Sequence, residues 1–115
     1  MKLIRCYTRA ENLDNIREKL FEAGAPGMSV MDALGIGKPL SQVEATGSDD
    51  ASYLPQFKKR IMIEVAVDDK DCDDLVATLA EVCRTGSLGD GKIFIIPLDD
   101  AVRVRTGERG TQSLY

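Results

Sequence analysis

The stretch Thr85-Gly-Ser-Leu-Gly-Asp-Gly-Lys-Ile-Phe94 gathers three glycines, an aspartate and a lysine between a helical pattern and an apolar run. Glycines let the chain turn with positive φ and let amide groups approach a ligand closely. Successive amides with Lys92 beside them can cradle an anion. Gly86-x4-Gly91-Lys92 satisfies the opening of the P-loop pattern, but Ile93 stands where that pattern needs Ser or Thr for Mg²⁺. The flanks are also inverted. A P-loop leaves a strand and opens a helix, whereas this loop leaves a helix and enters a strand, so no helix N-terminus waits for a phosphate. Two readings stay open for the loop: a tight helix-to-strand turn, or a phosphate cradle of Gly89, Asp90, Gly91 and Lys92.

Three further fragments have anion-binding character. Arg103-Val-Arg105, if it lies on a strand, puts both guanidinium groups on one face about 7 Å apart. Such a fork suits two phosphates or one polyphosphate; the alternative is an edge strand blunted by charge. Gly27-Met28-Ser29 and Gly35-Ile36-Gly37-Lys38 flank a second strand pattern. Each is either a bulge or turn or bared backbone for a ligand. Together the four fragments supply bared backbone, cations and an apolar wall, which a nucleotide requires. Catalytic chemistry has less to build on. The chain has no histidine, the commonest general base and transition-metal ligand. It has no CxxC, no Ser-His-Asp or Cys-His set, and no marked carboxylate pair. The expectation is no enzyme and no metal site; a slow nucleotide hydrolase is the minor alternative.

The elements that must position these fragments follow from periodicity. Residues 2–9 alternate as a strand, with Leu3, Arg5, Tyr7 and Arg9 on one face and Ile4, Cys6 and Thr8 on the other. Residues 12–24 form a helix with Leu13, Ile16, Leu20 and Ala23 inward, Asn12 as N-cap and Gly24 as stop. A strand is expected over 28–36. Residues 38–55 are polar, mix Pro, Gly, Ser and Asp, and have no period. A loop of that length inside a small domain points to an interaction arm. Residues 58–67 alternate strongly, with Ile61, Ile63, Val65 and Val67 on one face. A helix over 71–84 is capped near Asp68 or Asp71 and turns Leu75, Val76, Leu79, Val82 and Cys83 inward. A strand over 93–98 and a short one over 101–104 precede a polar tail. The order is a doubled βαβ unit: a single α+β domain, residues 1–115, with an antiparallel ferredoxin-like sheet and both helices on one face. The other face is too apolar to stay bare, so a partner chain is expected to cover it in a closed oligomer.

Composition bounds the rest. The 115 residues carry a net charge of −4 with both signs mixed, which is no footprint for nucleic acid or a membrane surface. No run approaches membrane-spanning length, and a cytoplasmic protein is the expectation. Cys6, Cys72 and Cys83 are odd in number and far apart, as in a reducing compartment.

These residues resemble the PII signal-transduction family along nearly the whole chain. The resemblance rests on Leu13-Asp-x-Ile-Arg17, Gly24-x-x-Gly-Met-Ser-Val30, Gly35-x-Gly37, Leu54-Pro55, Ile63-Glu-Val65, the Thr85 to Phe94 stretch and Arg103-Val-Arg-Thr-Gly-Glu108. It implies a homotrimer of ferredoxin-like subunits binding an adenine nucleotide (ATP, ADP or AMP) in the clefts between them. Carried over by motif, Gly27, Met28, Ser29, Glu64, Val65 and Ala66 would meet adenine and ribose. Gly35, Ile36, Gly37 and Lys38 would line the cleft, and Gly89, Asp90, Gly91 and Lys92 would hold phosphates. Arg103 and Arg105 would come from the neighbouring subunit. Residues 38–57 would be the T-loop that grips a protein target such as a transporter or a carboxysome-linked protein. Residues 84–91 would be the phosphate-binding B-loop and 103–115 the C-terminal loop.

The departures lie in the arm. Family members that sense 2-oxoglutarate place a glutamine after the basic residue that follows Gly-x-Gly, and it binds the Mg²⁺ bridging ATP and the oxoacid. Here that position is Pro39, with no amide N–H and no ligand oxygen. This argues against Mg²⁺ and against oxoglutarate sensing. Arg60 stands where the family carries a lysine, and Tyr53 lacks the Tyr-Arg-Gly setting of the uridylylation site. The resemblance therefore points to a PII-like regulator of the carboxysome-associated, inorganic-carbon group, with Lys58, Lys59 or Arg60 holding a bicarbonate. The alternative is an ordinary nitrogen regulator responding to ATP and 2-oxoglutarate.

Overall fold

A computed structural model of the chain describes residues 1–37 and 56–115. Among them are four strands and two α-helices in the order β1 (Lys2–Thr8), α1 (Leu13–Glu22), β2 (Ser29–Gly35), β3 (Lys58–Val67), α2 (Asp69–Cys83) and β4 (Lys92–Pro97). The sheet order is β2-β3-β1-β4 and every neighbouring pair is antiparallel. This is the ferredoxin-like arrangement expected from the doubled βαβ order.

The period-2 pattern decides which residues face the helices. Ile4, Cys6 and Thr8 of β1 and Ile61, Ile63, Val65 and Val67 of β3 are all buried. Register aligns them directly, Ile4 with Val65 and Cys6 with Ile63. Against them pack Ile16 and Leu20 of α1 and Leu75, Leu79 and Cys83 of α2. Each fully buried aliphatic side chain contributes roughly 1.5–3 kcal/mol, whereas helices this short are marginal alone in water. The apolar stripe, more than local propensity, therefore holds them helical. The opposite face presents Leu3, Arg5, Tyr7, Met62, Glu64 and Phe94, none of them buried in the single chain.

Three local expectations are corrected. Asn12 is helical (φ −80°, ψ −8°) and makes no capping bond. It ends a 3₁₀ turn over Ala10–Asn12, and its Nδ2 donates to Thr8 Oγ1 at 2.9 Å. The helix after β3 starts at Asp69 rather than 71, with Asp68 extended ahead of it. Residues 101–104 do not form a strand; only the single bridge Val102↔Arg109 forms there. The segment instead doubles back, with Arg103 N donating to Glu108 O at 2.9 Å and Gly107 N to Arg103 O at 2.8 Å. The polar tail is likewise tied down. It makes a 3₁₀ turn, Gly110–Ser113, and the Tyr115 hydroxyl accepts from Asp68 N at 3.2 Å and donates to the Asp71 carboxylate. No described helix is long and apolar enough to cross a membrane.

Candidate functional site: the glycine loop and the ends of β1 and β3

The glycine loop leaves α2 at Cys83 and enters β4 at Lys92, so the inverted flanks read from the sequence hold. Two things shape it. The first is close approach to β1. Gly91 has φ +113°, and a Cβ there would lie 1.8 Å from Tyr7 O. Only glycine fits both that dihedral and that gap. The second is Asp90. Its carboxylate accepts from Thr85 N at 2.7 Å, Gly86 N at 2.9 Å and Thr85 Oγ1, and Arg9 Nη1 donates to it at 2.7 Å. The main-chain oxygen of Asp90 in turn accepts from the buried Thr8 hydroxyl at 2.9 Å. Hydrogen bonds to the ionised form, that of the Thr85 hydroxyl first, hold the Asp90 carboxyl well below the usual carboxylate range. The Asp90 side chain is therefore engaged inside the loop. What it can offer an incoming anion is main chain, while its carboxylate fixes the loop that presents the other amides.

Two guanidinium groups converge on the loop from the sheet. A Cβ added at Gly89 would lie 3.1 Å from Arg60 Nη2 and 3.2 Å from Arg9 Nη2. Arg9 is tied by Nη2 to Leu88 O at 2.7 Å as well as to Asp90. Arg60 donates by Nη1 to Lys59 O at 2.9 Å, and its Cγ lies 3.4 Å from where a Gly35 Cβ would be. Arg60 thus runs from the end of β2 to Gly89 and joins two of the expected fragments. Sequence reasoning placed Arg9 only on a strand face and missed its part in the loop. The signal was its position directly after Thr8, where β1 ends. Alternation along β3 puts Arg60 and Lys58 on one face and Lys59 on the other. The three candidate anion contacts therefore do not form one cluster.

The base-side residues assemble in part. Ser29 lies opposite Glu64 in the β2–β3 register. That ladder ends there, so Val65 and Ala66 face no β2 residue, and Gly27 and Met28 form the approach to this corner. Val65 is only 1% exposed with its side chain in the core; it could offer a ligand backbone alone. Gly35 closes β2 opposite Lys58, and Ile36 and Gly37 follow, exposed. Lys92 opens β4 opposite Tyr7 and is exposed beside the loop. Lys38, Pro39, Tyr53 and most of the 38–57 arm lie outside the described residues.

The arginine fork is not brought to the loop within the chain. With no strand at 101–104, the expected parallel pair of guanidinium groups is lost. Arg103 binds its own C-terminal segment: Glu108 Oε1 at 2.8 Å and the main-chain oxygens of Gln112, Ser113 and Tyr115 at 3.3, 3.3 and 2.6 Å. Arg105 sits in an exposed turn.

Comparison with known proteins agrees with this architecture. The family model described as nitrogen regulatory protein P-II matches residues 1–108. The chain is 38% identical over 114 residues to the nitrogen regulatory protein P-II of Synechocystis sp., covering 99% of this chain and 100% of that protein. It is 38% identical to nitrogen regulatory protein P-II 2 of Methanothermobacter thermautotrophicus, covering 97% of it, and 33% identical to the P-II protein of Azospirillum brasilense, covering 100%. A doubled βαβ fold, a glycine loop locked by Asp90 and matches of this length agree: the chain belongs to the P-II family of regulatory proteins, which are signalling proteins rather than enzymes.

Proposed function

We propose that this P-II protein is an adenine-nucleotide sensor that works as a homotrimer, holds ATP, ADP or AMP between subunits, and acts on a protein target through the 38–57 arm. The observation that carries the reading is the glycine loop, held rigid from within by Asp90, with the guanidinium groups of Arg9 and Arg60 converging at Gly89. A preformed loop with cations at its edge binds phosphate without first having to order itself. The trimer has independent support in the uncovered sheet face. There the single chain leaves Leu3, Tyr7 and Met62 only partly buried and Phe94 exposed, apolar surface that a second copy would cover. Arg103, folded onto its own C-terminal segment, then faces a neighbouring subunit's nucleotide rather than its own.

Arg60 is the basis for the second ligand. Its planar fork at the root of the arm suits a planar three-oxygen anion such as bicarbonate, which favours inorganic-carbon sensing. The competing reading is nitrogen control, which the names of the relatives favour, with 2-oxoglutarate as the second ligand. A ligand shifts the arm only by touching one of its states more than the other, so coupling between ligands separates the two. Calorimetric titration of AMP, ADP and ATP, with and without bicarbonate, and of ATP with Mg²⁺ and 2-oxoglutarate, is the test. Bicarbonate tightening ADP or AMP is the expected result. Oxoglutarate tightening ATP would transfer the protein to nitrogen control, and no heat with any nucleotide would overturn the proposal.

A further inference from the structure

One row of the uncovered sheet face carries a charged pair into an apolar surface. The register sets Arg5 of β1 opposite Glu64 of β3, and Glu64 opposite Ser29 of β2. Directly opposite residues share a face, with Cβ atoms about 4.5–5.5 Å apart. Arg5 Nη2 donates to Glu64 Oε1 at 3.5 Å, and the two side chains are 34% and 21% exposed. The neighbouring positions on that face carry no charge: Met62 and Ala66 along β3, with Tyr7 and Leu3 opposite them on β1. Arg5 is therefore the cation that holds Glu64, and Glu64 is its ion-pair partner among the described residues. We infer that Arg5 is a positioning residue for base selection: it fixes the Glu64 carboxylate beside Ser29, so that this corner accepts an amino group and rejects a ring carbonyl at the same place. The inference rests on the nucleotide reading above, which brings the base to Ser29 and Glu64.

An ionised carboxylate only accepts hydrogen bonds, whereas the Ser29 hydroxyl can donate. Adenine meets such a pair with its 6-amino group as donor and N1 as acceptor. Hypoxanthine offers the same two functions in exchanged order, O6 as acceptor and N1–H as donor. A carboxylate free to swing would satisfy either base. One tied through Oε1 to Arg5 satisfies the base whose donor falls in line with it. The wrong base then sets a carbonyl oxygen against the carboxylate, and a site whose polar groups are left unpaired discriminates strongly. The tie gains weight when the face is covered by a second copy. Glu64 then loses water as an alternative partner, and Arg5 is the group that compensates its charge.

The test titrates the full chain by calorimetry with ADP and with inosine diphosphate, after light scattering has checked that each variant assembles as wild type does. Wild type should favour ADP by at least about tenfold, the effect of one hydrogen bond to a charged group. Arg5→Met keeps an apolar stem and removes the cation, and it should lose most of that preference. Arg5→Lys can supply the single contact and should restore it. Glu64→Gln puts an amide that both donates and accepts in place of the carboxylate and should remove the preference by itself. Adding Arg5→Met to Glu64→Gln should then change the ratio no further, because Arg5 acts through Glu64. Equal losses of both nucleotides in Arg5→Met, additive effects of the two changes on the ratio, or a wild-type ratio near one would each overturn the inference while leaving nucleotide binding intact. Should Arg5→Met fail to fold, an unchanged ratio in Glu64→Gln overturns it. Absence of any nucleotide binding by wild type would instead remove the nucleotide reading, and this inference with it.

Discussion

Replacing Gly91 by alanine tests the central claim about the glycine loop, that its last turn is set by contact with the β1 backbone. The added Cβ would lie 1.8 Å from Tyr7 O, 2.9 Å from Tyr7 C and 3.1 Å from Thr8 Cα. All three atoms are main chain at the end of β1, an inner strand of the sheet, so no side chain can swing aside. Carbon and oxygen rest no closer than about 3.3 Å, so the loop must lift by roughly 1.5 Å. That opens the Tyr7↔Lys92 pairing and the Thr8 Oγ1 to Asp90 O bond. Positive φ on an alanine costs roughly 1–2 kcal/mol, and two lost hydrogen bonds add about 0.5–1.5 kcal/mol each, for a total of about 3 kcal/mol. Gly86 is the control. It also has positive φ, at +85°, but a Cβ added there would meet nothing within 4 Å, so Gly86→Ala should cost only the dihedral term of roughly 1–2 kcal/mol. Urea unfolding of the two variants at one protein concentration should therefore separate them by about 1.5 kcal/mol or more, over tenfold in the folded-to-unfolded ratio. Equal stability of the two variants would refute the close-approach argument and leave only backbone conformation as the reason for glycine.

Other consequences follow from the same contacts. Asp90→Asn removes the carboxylate that accepts from Thr85, Gly86 and Arg9. Because the folded Asp90 pKa is lowered from 3.8, its stabilising contribution is complete above the unfolded value and fades as pH falls through the folded one. The stability gap between wild type and Asp90→Asn should be constant near neutral pH and close only under acid below about pH 4; a gap that closes near neutrality would contradict the assignment. Arg9→Lys keeps the charge but loses the fork that holds Asp90 and Leu88 O together. Hydrogen exchange of the loop amides should quicken by several-fold with the far-UV circular dichroism unchanged, and unaltered exchange would mean that Asp90 holds the loop without it. Lys92→Ala should weaken ADP and ATP more than AMP in calorimetry; equal losses would mean that Lys92 does not meet the terminal phosphates. Tyr115→Phe removes the hydroxyl that binds Asp68 N and Asp71 and should lower stability by about 1 kcal/mol, measured by thermal unfolding.

The sequence by itself determined the architecture. Alternation in β1 and β3 names the buried face residue by residue, and the inward stripes of Leu75, Leu79 and Cys83 and of Ile16 and Leu20 fall where helical spacing puts them. These features are local: period and side-chain type are enough to assign them. The glycine loop was legible too, because three glycines with a charged pair have few structural uses. The arrangement of long-range partners was not. The sequence offered Asp90 as part of a phosphate cradle and gave no sign that its side chain is engaged inside the loop, where Arg9, 81 residues earlier, and the amides of Thr85 and Gly86 meet it. Arg103 looked like half of a strand-borne fork, yet closure onto Glu108 and the C-terminal carbonyls outcompeted a strand with no neighbour to pair it. The nearness of Arg9 and Arg60 at Gly89 depends on which strands lie side by side. Periodicity names the buried face of each strand but not which strands become neighbours; packing of the helices on the sheet decides that.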